Sequence, residues 1–153
     1  MSPSEFLGLA VAVTVMASLS ERLLGRMHRR RLTRLAAELG MNYSPHDQFR
    51  LTPRVARHFP VPGAAKILVV DLIYGMDQDV YRYIFTAAYT AGIITGKHRV
   101  LRVASFTEPR GRGGEMPNAP IVLAPADLPL LEQYRKLIPA NLPQEPNRIQ
   151  YPS

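Results

Sequence analysis

The stretch PSEFLGLAVAVTVMASLSERLLGRMHRRRLTRLAAELG, residues 3–40, decides how the rest of the chain is read. From Phe6 to Leu19 it carries no charge and is almost entirely Leu, Val, Ala, Met and Phe, diluted by Gly8, Thr14 and Ser18. Ser2-Pro3-Ser4-Glu5 in front of it has the form of a capping box. In that motif Ser2 accepts from a free backbone N–H and Glu5 reaches back to the cap, while Pro3 stands where its missing N–H costs nothing. The pattern predicts a helix beginning at Pro3. The 14 residues of the apolar run are too few to cross a bilayer, which takes about 20 at about 1.5 Å each. A helix from Pro3 to Leu24 reaches roughly 33 Å, which is enough, and Glu21 and Arg22 at its end can extend toward the headgroups.

Directly behind the apolar run come Arg22, Arg26, Arg29, Arg30, Arg31 and Arg34, opposed only by Glu21, a net of +5 over residues 21–34. The other flank has no Lys or Arg. The positive-inside rule then places the N-terminus outside and the remainder in the cytoplasm. The expectation is a single-pass anchor, N-out and C-in, over residues 1–24. Two rivals are a cleaved signal peptide, for which Val15 and Ala17 suit a cleavage site, and a buried core helix. A signal peptide carries its positive charge before the apolar run and not behind it.

Composition narrows the classes further. The chain of 153 residues supports one domain beyond the anchor. Its net charge of +7 points at first to nucleic acid. Residues 35–153, however, hold 13 basic and 10 acidic side chains, so most of the basicity belongs to the anchor and nucleic acid is disfavoured as a partner. With no cysteine, disulfides and thiolate metal sites are excluded, as suits a reducing compartment.

Leu32, Leu35, Ala36 and Leu39 recur at helical spacing, which predicts a basic amphipathic juxtamembrane helix over residues 25–40, ended by Gly40. Its six arginines either lie on anionic lipid or form a solvated face that fixes topology. A domain over residues 41–138 follows. Met41 to Ser44 reads as a short strand, and His46 to Pro62 as mixed chain with a helical turn around Val55 and Phe59. Ile67 to Tyr74 and Val80 to Ile94 read as an antiparallel hairpin, with turn residues Gly75 to Asp79 between them. Period two places Tyr81, Tyr83, Phe85 and Tyr89 on one face, most simply a core. Arg99 to Phe106 continues the meander. Glu108 to Pro120, rich in Gly and Pro, reads as a mobile loop in which Arg110 and Arg112 form an RGG-like fragment. A short strand at Ile121 to Ala124 precedes a helix from Asp127 to Ile138, with Asp127 as cap and Leu130, Leu131, Tyr134, Leu137 and Ile138 as its apolar stripe. The Pro-rich stretch 139–153 reads as an extended, disordered tail. The fold expected is α+β: an N-terminal transmembrane helix, then a small antiparallel meander of about four strands packed against a C-terminal helix.

No catalytic constellation emerges. There is no G-x-S-x-G elbow and no H-E-x-x-H. His28, His46, His58 and His98 match no metal-ligand spacing, and His28 groups with the arginines. His46-Asp47 is the one pair that could begin an acid-base or metal site, though a turn explains it better. Asp77-Gln78-Asp79 opens like a calcium loop but lacks the later ligands, so a hairpin turn is the better account. Gly92 to His98 falls one residue short of a phosphate loop and has His98 where Ser or Thr would hold magnesium. The aromatics near Arg82, Arg99 and Arg102 match no ribonucleoprotein consensus. No cofactor, metal or small-molecule substrate is identified.

The segment Arg31-Leu32-Thr33-Arg34-Leu35-Ala36-Ala37-Glu38-Leu39-Gly40-Met41-Asn42-Tyr43, followed by Asp47 and Phe49, resembles the juxtamembrane part of small bacterial single-pass membrane proteins of no assigned activity. In these a hydrophobic helix and a basic patch lead through an LA-x-x-LG-x-x-[YF] stretch into a compact β-rich domain. The resemblance implies an inner-membrane location and brings no catalytic residues. The function expected is a non-enzymatic, membrane-anchored cytoplasmic interaction module or accessory subunit, with the bilayer and a membrane-associated protein as partners and the Gly-rich loop and Pro-rich tail as contact segments. A peripheral binder of RNA or anionic lipid, through the arginine cluster and Arg110 to Arg112, is the second expectation. A small enzyme using His46, Asp47 or His98 is the third.

Overall fold

The computed structural model describes residues 2–92, 98–111 and 120–138. Its elements run α1 (Pro3–Glu38), β1 (Asn42–His46), α2 (Leu51–His58), β2 (Ala65–Asp77), β3 (Val80–Ala91), β4 (His98–Pro109), β5 (Val122–Leu123) and α3 (Leu130–Leu137). The strands form one antiparallel sheet in chain order, β1-β2-β3-β4-β5. The fold is α+β as expected, with a long apolar helix first and a helix last. Five strands pair where about four were anticipated, because the two shortest, β1 and β5, both find a neighbour.

Helix α1 is 36 residues long without interruption, about 54 Å. The Ser2 backbone N–H donates to Glu5 Oε2 at 2.8 Å, the returning half of the capping box. Inside the apolar run, the Thr14 hydroxyl donates to the Ala10 carbonyl and the Ser18 hydroxyl to the Thr14 carbonyl, so neither leaves a polar group unsatisfied. At the far end Gly40 takes φ +64°. Its N–H donates to Ala37 O, and Met41 N–H donates to Ala36 O. This pair of bonds is a Schellman motif, which requires the left-handed conformation that glycine adopts freely.

The middle of the sheet is buried on both faces. On one, Tyr83, Phe85, Tyr89 and Phe106 pack with Leu51 and Val55 of α2 and with Phe59 behind it. On the other, Leu32 and Ala36 of α1 and Tyr134 and Leu137 of α3 cover Ile73, Ile84 and Val103. Strand β3 is therefore buried at every residue from Tyr83 to Tyr89. The aromatic face read from period two is core at these rings, whereas Tyr81 at the strand's start is exposed and stacks on Tyr83.

Four boundaries differ from the sequence reading. Strand β2 runs through Gly75 and Met76 to Asp77, and the hairpin closes through Gln78 and Asp79 alone, both at positive φ. Two-residue turns of that hand match strand twist, so the strands continue to the turn. Glu108, read as loop, lies in β4 opposite Tyr81 and is buried. Helix α3 begins at Leu130 behind Pro129, so Asp127 does not cap it. Helix α2 fills the segment read as mixed. Its formal cap, Arg50, contributes no side-chain bond, and the Asp47 carboxylate instead accepts from Leu51 N–H and Thr52 N–H at 2.7 Å each. Thr52 Oγ1 then accepts from Val69 N–H and ties the helix to β2. Replacing Asp47 with Ala leaves two helix N–H groups without their acceptor. Asp47→Ala is expected to lower stability by about 1 kcal/mol, read from denaturant unfolding of the full-length protein in mild detergent.

Candidate functional site

Two groups of side chains stand out, and both lie on or beside α1. The first is the arginine cluster. Arg22, Arg26, Arg29, Arg30, Arg31 and Arg34 are all exposed, while the opposite stripe of the same helix, His28, Leu32, Leu35, Ala36 and Leu39, turns toward the sheet. Among the described residues none of the six arginines forms an ion pair. From Arg22 to Arg34 the helix rises about 18 Å. The cluster is therefore a column along the helix axis and not a single patch.

The second group is the joint between α1 and the sheet. Strand β2 breaks its register between Val70 and Ile73, and Asp71, at φ +50°, is the bulged residue. The bulge stands opposite Pro45, which interrupts β1's own ladder between Ser44 and His46. Turned out of the ladder, the Asp71 carboxylate accepts from Tyr43 OH at 2.6 Å and lies 3.7 Å from His28 Nε2. The Asp71 carbonyl accepts from Tyr134 OH at 2.5 Å, and Thr86 Oγ1 is 2.9 Å from the same hydroxyl. One residue thus connects α1, β1 and α3, with Thr86 of β3 bonded to the same Tyr134 hydroxyl. Burial raises the Tyr43 pKa, the hydrogen bond to Asp71 and its charge add to this, and Arg29 opposes it. Burial likewise holds the Tyr134 phenol well above its ordinary value. Phenols held protonated beside a carboxylate retain protons instead of transferring them, so the arrangement works as a clamp.

The other residues singled out by sequence are dispersed. His46 and His98 are exposed, and the Asp47 carboxylate is committed to the α2 backbone. Asp77, Gln78 and Asp79 form the hairpin end, where Arg82 pairs with Asp77 and Arg110 with Asp79. Arg110 N–H also donates to the Asp79 carbonyl at 2.7 Å. Arg112, residues 93–97 of the glycine-lysine turn and the tail 139–153 lie outside the described residues. Among those described, no three His, Asp or Glu side chains are grouped to hold a metal ion.

Sequence reasoning missed Asp71, the centre of the joint, and three further contributors. His28 was grouped with the arginines, although its i, i+4 relation to Leu32 placed it on the inward stripe. Gln133 of α3 is buried; its Oε1 accepts from Val103 N–H and its Nε2 donates to Leu128 O, so it serves β4 where β5 does not reach. Arg54 pairs with buried Glu108 at 2.8 Å and lies over the Phe106 ring, across an element boundary that no local pattern signals.

The clamp makes stability sensitive to alkali. In the unfolded chain phenols ionise near pH 10, at about their ordinary value, while folded Tyr43 and Tyr134 retain their protons to higher pH. Their contribution is complete below that pH and is lost as pH rises toward the folded values. Tyr134→Phe is expected to destabilise by about 1–3 kcal/mol at neutral pH, because it strips the partner from Asp71 O and Thr86. It should also flatten the decline above pH 10 by about 1.4 kcal/mol per pH unit in denaturant titrations.

Compared with protein-family models, with curated proteins and with solved structures, the chain matches none.

Proposed function

We propose that this chain is a single-pass membrane protein, N-terminus outside, whose cytoplasmic α+β domain serves as a non-enzymatic interaction module or accessory subunit of a membrane complex. The observation that carries the reading is the contrast within α1. The helix is long and apolar enough to cross a membrane, and its apolar window has no burial against the rest of the chain. A core helix of that composition would be covered by protein. Here Phe6, Leu7, Met16 and Leu19 are all exposed, and only from His28 onward does the helix meet the sheet. Lipid is the solvent that suits such a surface.

The arginine column supports the topology. Arg22 and Arg26 come first after the apolar run, where positive charge retains a flank in the cytoplasm. Arg30, Arg31 and Arg34 stand about 9–15 Å further along the helix than Leu24, beyond a Debye length of about 8 Å, so the membrane contact belongs mainly to Arg22, Arg26 and Arg29.

The surface assigned to a partner in this reading is the opposite end of the sheet. Phe49, Met76 and Tyr81 are exposed there, and Phe49 meets Tyr74 and Tyr83 edge-on at 4.8 and 5.8 Å. Aromatic and methionine side chains clustered in this way are enriched in protein interfaces. Tethering raises the effective concentration of such a patch for a partner in the same membrane.

In membrane fractionation, the full-length chain is expected to resist both high-salt and alkaline washes, and a version starting at Arg31 to be released. Release of the full-length chain by salt alone would refute the anchor. It would make the arginines a peripheral site for anionic lipid or RNA.

A further inference from the structure

The direction in which α1 crosses the sheet has a consequence for the domain's other end. His28 lies beside Asp71, and ten residues later the helix ends where the Met41 side chain packs over Gly75, so closely that a Cβ there would sit 3.0 Å from Met41 Cγ. The helix therefore runs alongside β2 in the same direction. Followed backward toward the apolar run, α1 leads to the start of β2, the end of β3 and the start of β4. Leu68 precedes Asp71 by three strand residues, roughly 10 Å, or six to seven helix residues at about 1.5 Å each. Leu68 thus comes level with about Glu21 and Arg22, where the apolar helix gives way to arginine.

What stands at that level is apolar and basic. Leu68 and Leu101 both pair with Ala88, and Ala88 shares β3's α1-covered face with Ile84 and Thr86. The two leucines are 43 and 46 % exposed and flank Ala88, which is buried. Arg99, two residues before Leu101 on the same face, and Lys66, at the other bulge of β2, are exposed and without an ion pair among the described residues. Residues 65–70, 86–91 and 98–103 contain no Asp or Glu. The opposite end carries Asp77, Asp79 and Glu108, each matched by Arg82, Arg110 and Arg54. Among the described strand residues, the lysine and arginines without an ion pair, Lys66, Arg99 and Arg102, all lie at the end of the sheet toward the apolar helix.

We propose that this end of the sheet is a second membrane contact: Leu68 and Leu101 enter the headgroup layer, and Lys66 and Arg99 meet the phosphates of anionic lipid. The proposal rests on the anchor reading for its geometry. It assigns the domain a fixed posture, with the Asp77–Val80 hairpin turned away from the bilayer. Two exposed leucines and two cations add to the contact made by Arg22 and Arg26, the apolar side chains by burial and the cations by attraction to the charged surface.

Because the chain has no cysteine, single labels can be placed at will. Full-length protein carrying Leu68→Cys, Leu101→Cys, Met76→Cys or Met16→Cys, each with an environment-sensitive dye, would be reconstituted into vesicles of phosphatidylcholine and phosphatidylglycerol, with brominated lipid as quencher. Quenching at positions 68 and 101 is expected at about threefold or more that at 76, the distal control. Adding Lys66→Glu and Arg99→Glu is expected to roughly halve it, with position 16 unaffected. Quenching at 16 alone would overturn the proposal and leave the anchor standing. Quenching at 68 and 101 without 16 would sustain the contact and refute the anchor, and quenching at none would refute both. Equal quenching at 68 and 101 in pure phosphatidylcholine would overturn the part given to lipid charge.

Discussion

Leu32 and Ala36 are almost completely buried, while the first two dozen residues of the helix that carries them are all exposed. Burial of this short stripe against Ile73, Ile84 and Val103 holds the sheet in place on α1. Because the helix is one piece, the apolar run and the core residues belong to the same rigid rod, and what fixes one fixes the other. The Schellman turn at Gly40 delivers Met41 onto Gly75 and sets the start of β1, so the edge of the sheet is positioned by the helix end. Asp71 closes the other side of the joint. A non-glycine residue at positive φ costs about 1–3 kcal/mol, and here it is held by hydrogen bonds to Tyr43 and Tyr134.

Coverage of both sheet faces explains why β3 is buried without alternation. An antiparallel sheet with one wet face shows polar residues at every second position. Strand β3 instead sets aromatic rings toward α2 and Ile84, Thr86 and Ala88 toward α1 and α3, with the Thr86 hydroxyl satisfied by Tyr134. The small side chains on the second face leave room for two helices side by side.

Local chemistry was readable where a feature is decided within a few residues. The Ser2 to Glu5 box, the Gly40 stop, the β2–β3 hairpin and the ring face of β3 all depend on immediate neighbours, and all were legible. Features decided across the chain were not. Helix α2 begins four residues after the carboxylate that caps it, behind an Arg50 in the left-handed region, so neither its cap nor its start has the usual spacing. The Asp71 bulge is made by pairing with Pro45 and by tyrosines 28 residues before and 63 residues after it. No window of sequence contains those partners. The same holds for Arg54 with Glu108, and for Gln133, a polar residue whose burial follows from a vacancy in the β5 ladder. The arginine column was legible both as charge and, through the helix expected up to Gly40, as a run along one axis.

The uninterrupted helix also makes the molecule a lever. A span longer than the hydrocarbon layer relieves the mismatch by tilting. A flexible linker would absorb such a tilt before it reached the soluble part. Here there is no linker, because the rod passes from the apolar run directly into the core. In the anchored chain proposed above, a change in bilayer thickness becomes a change in the angle at which the whole sheet is presented to its surroundings.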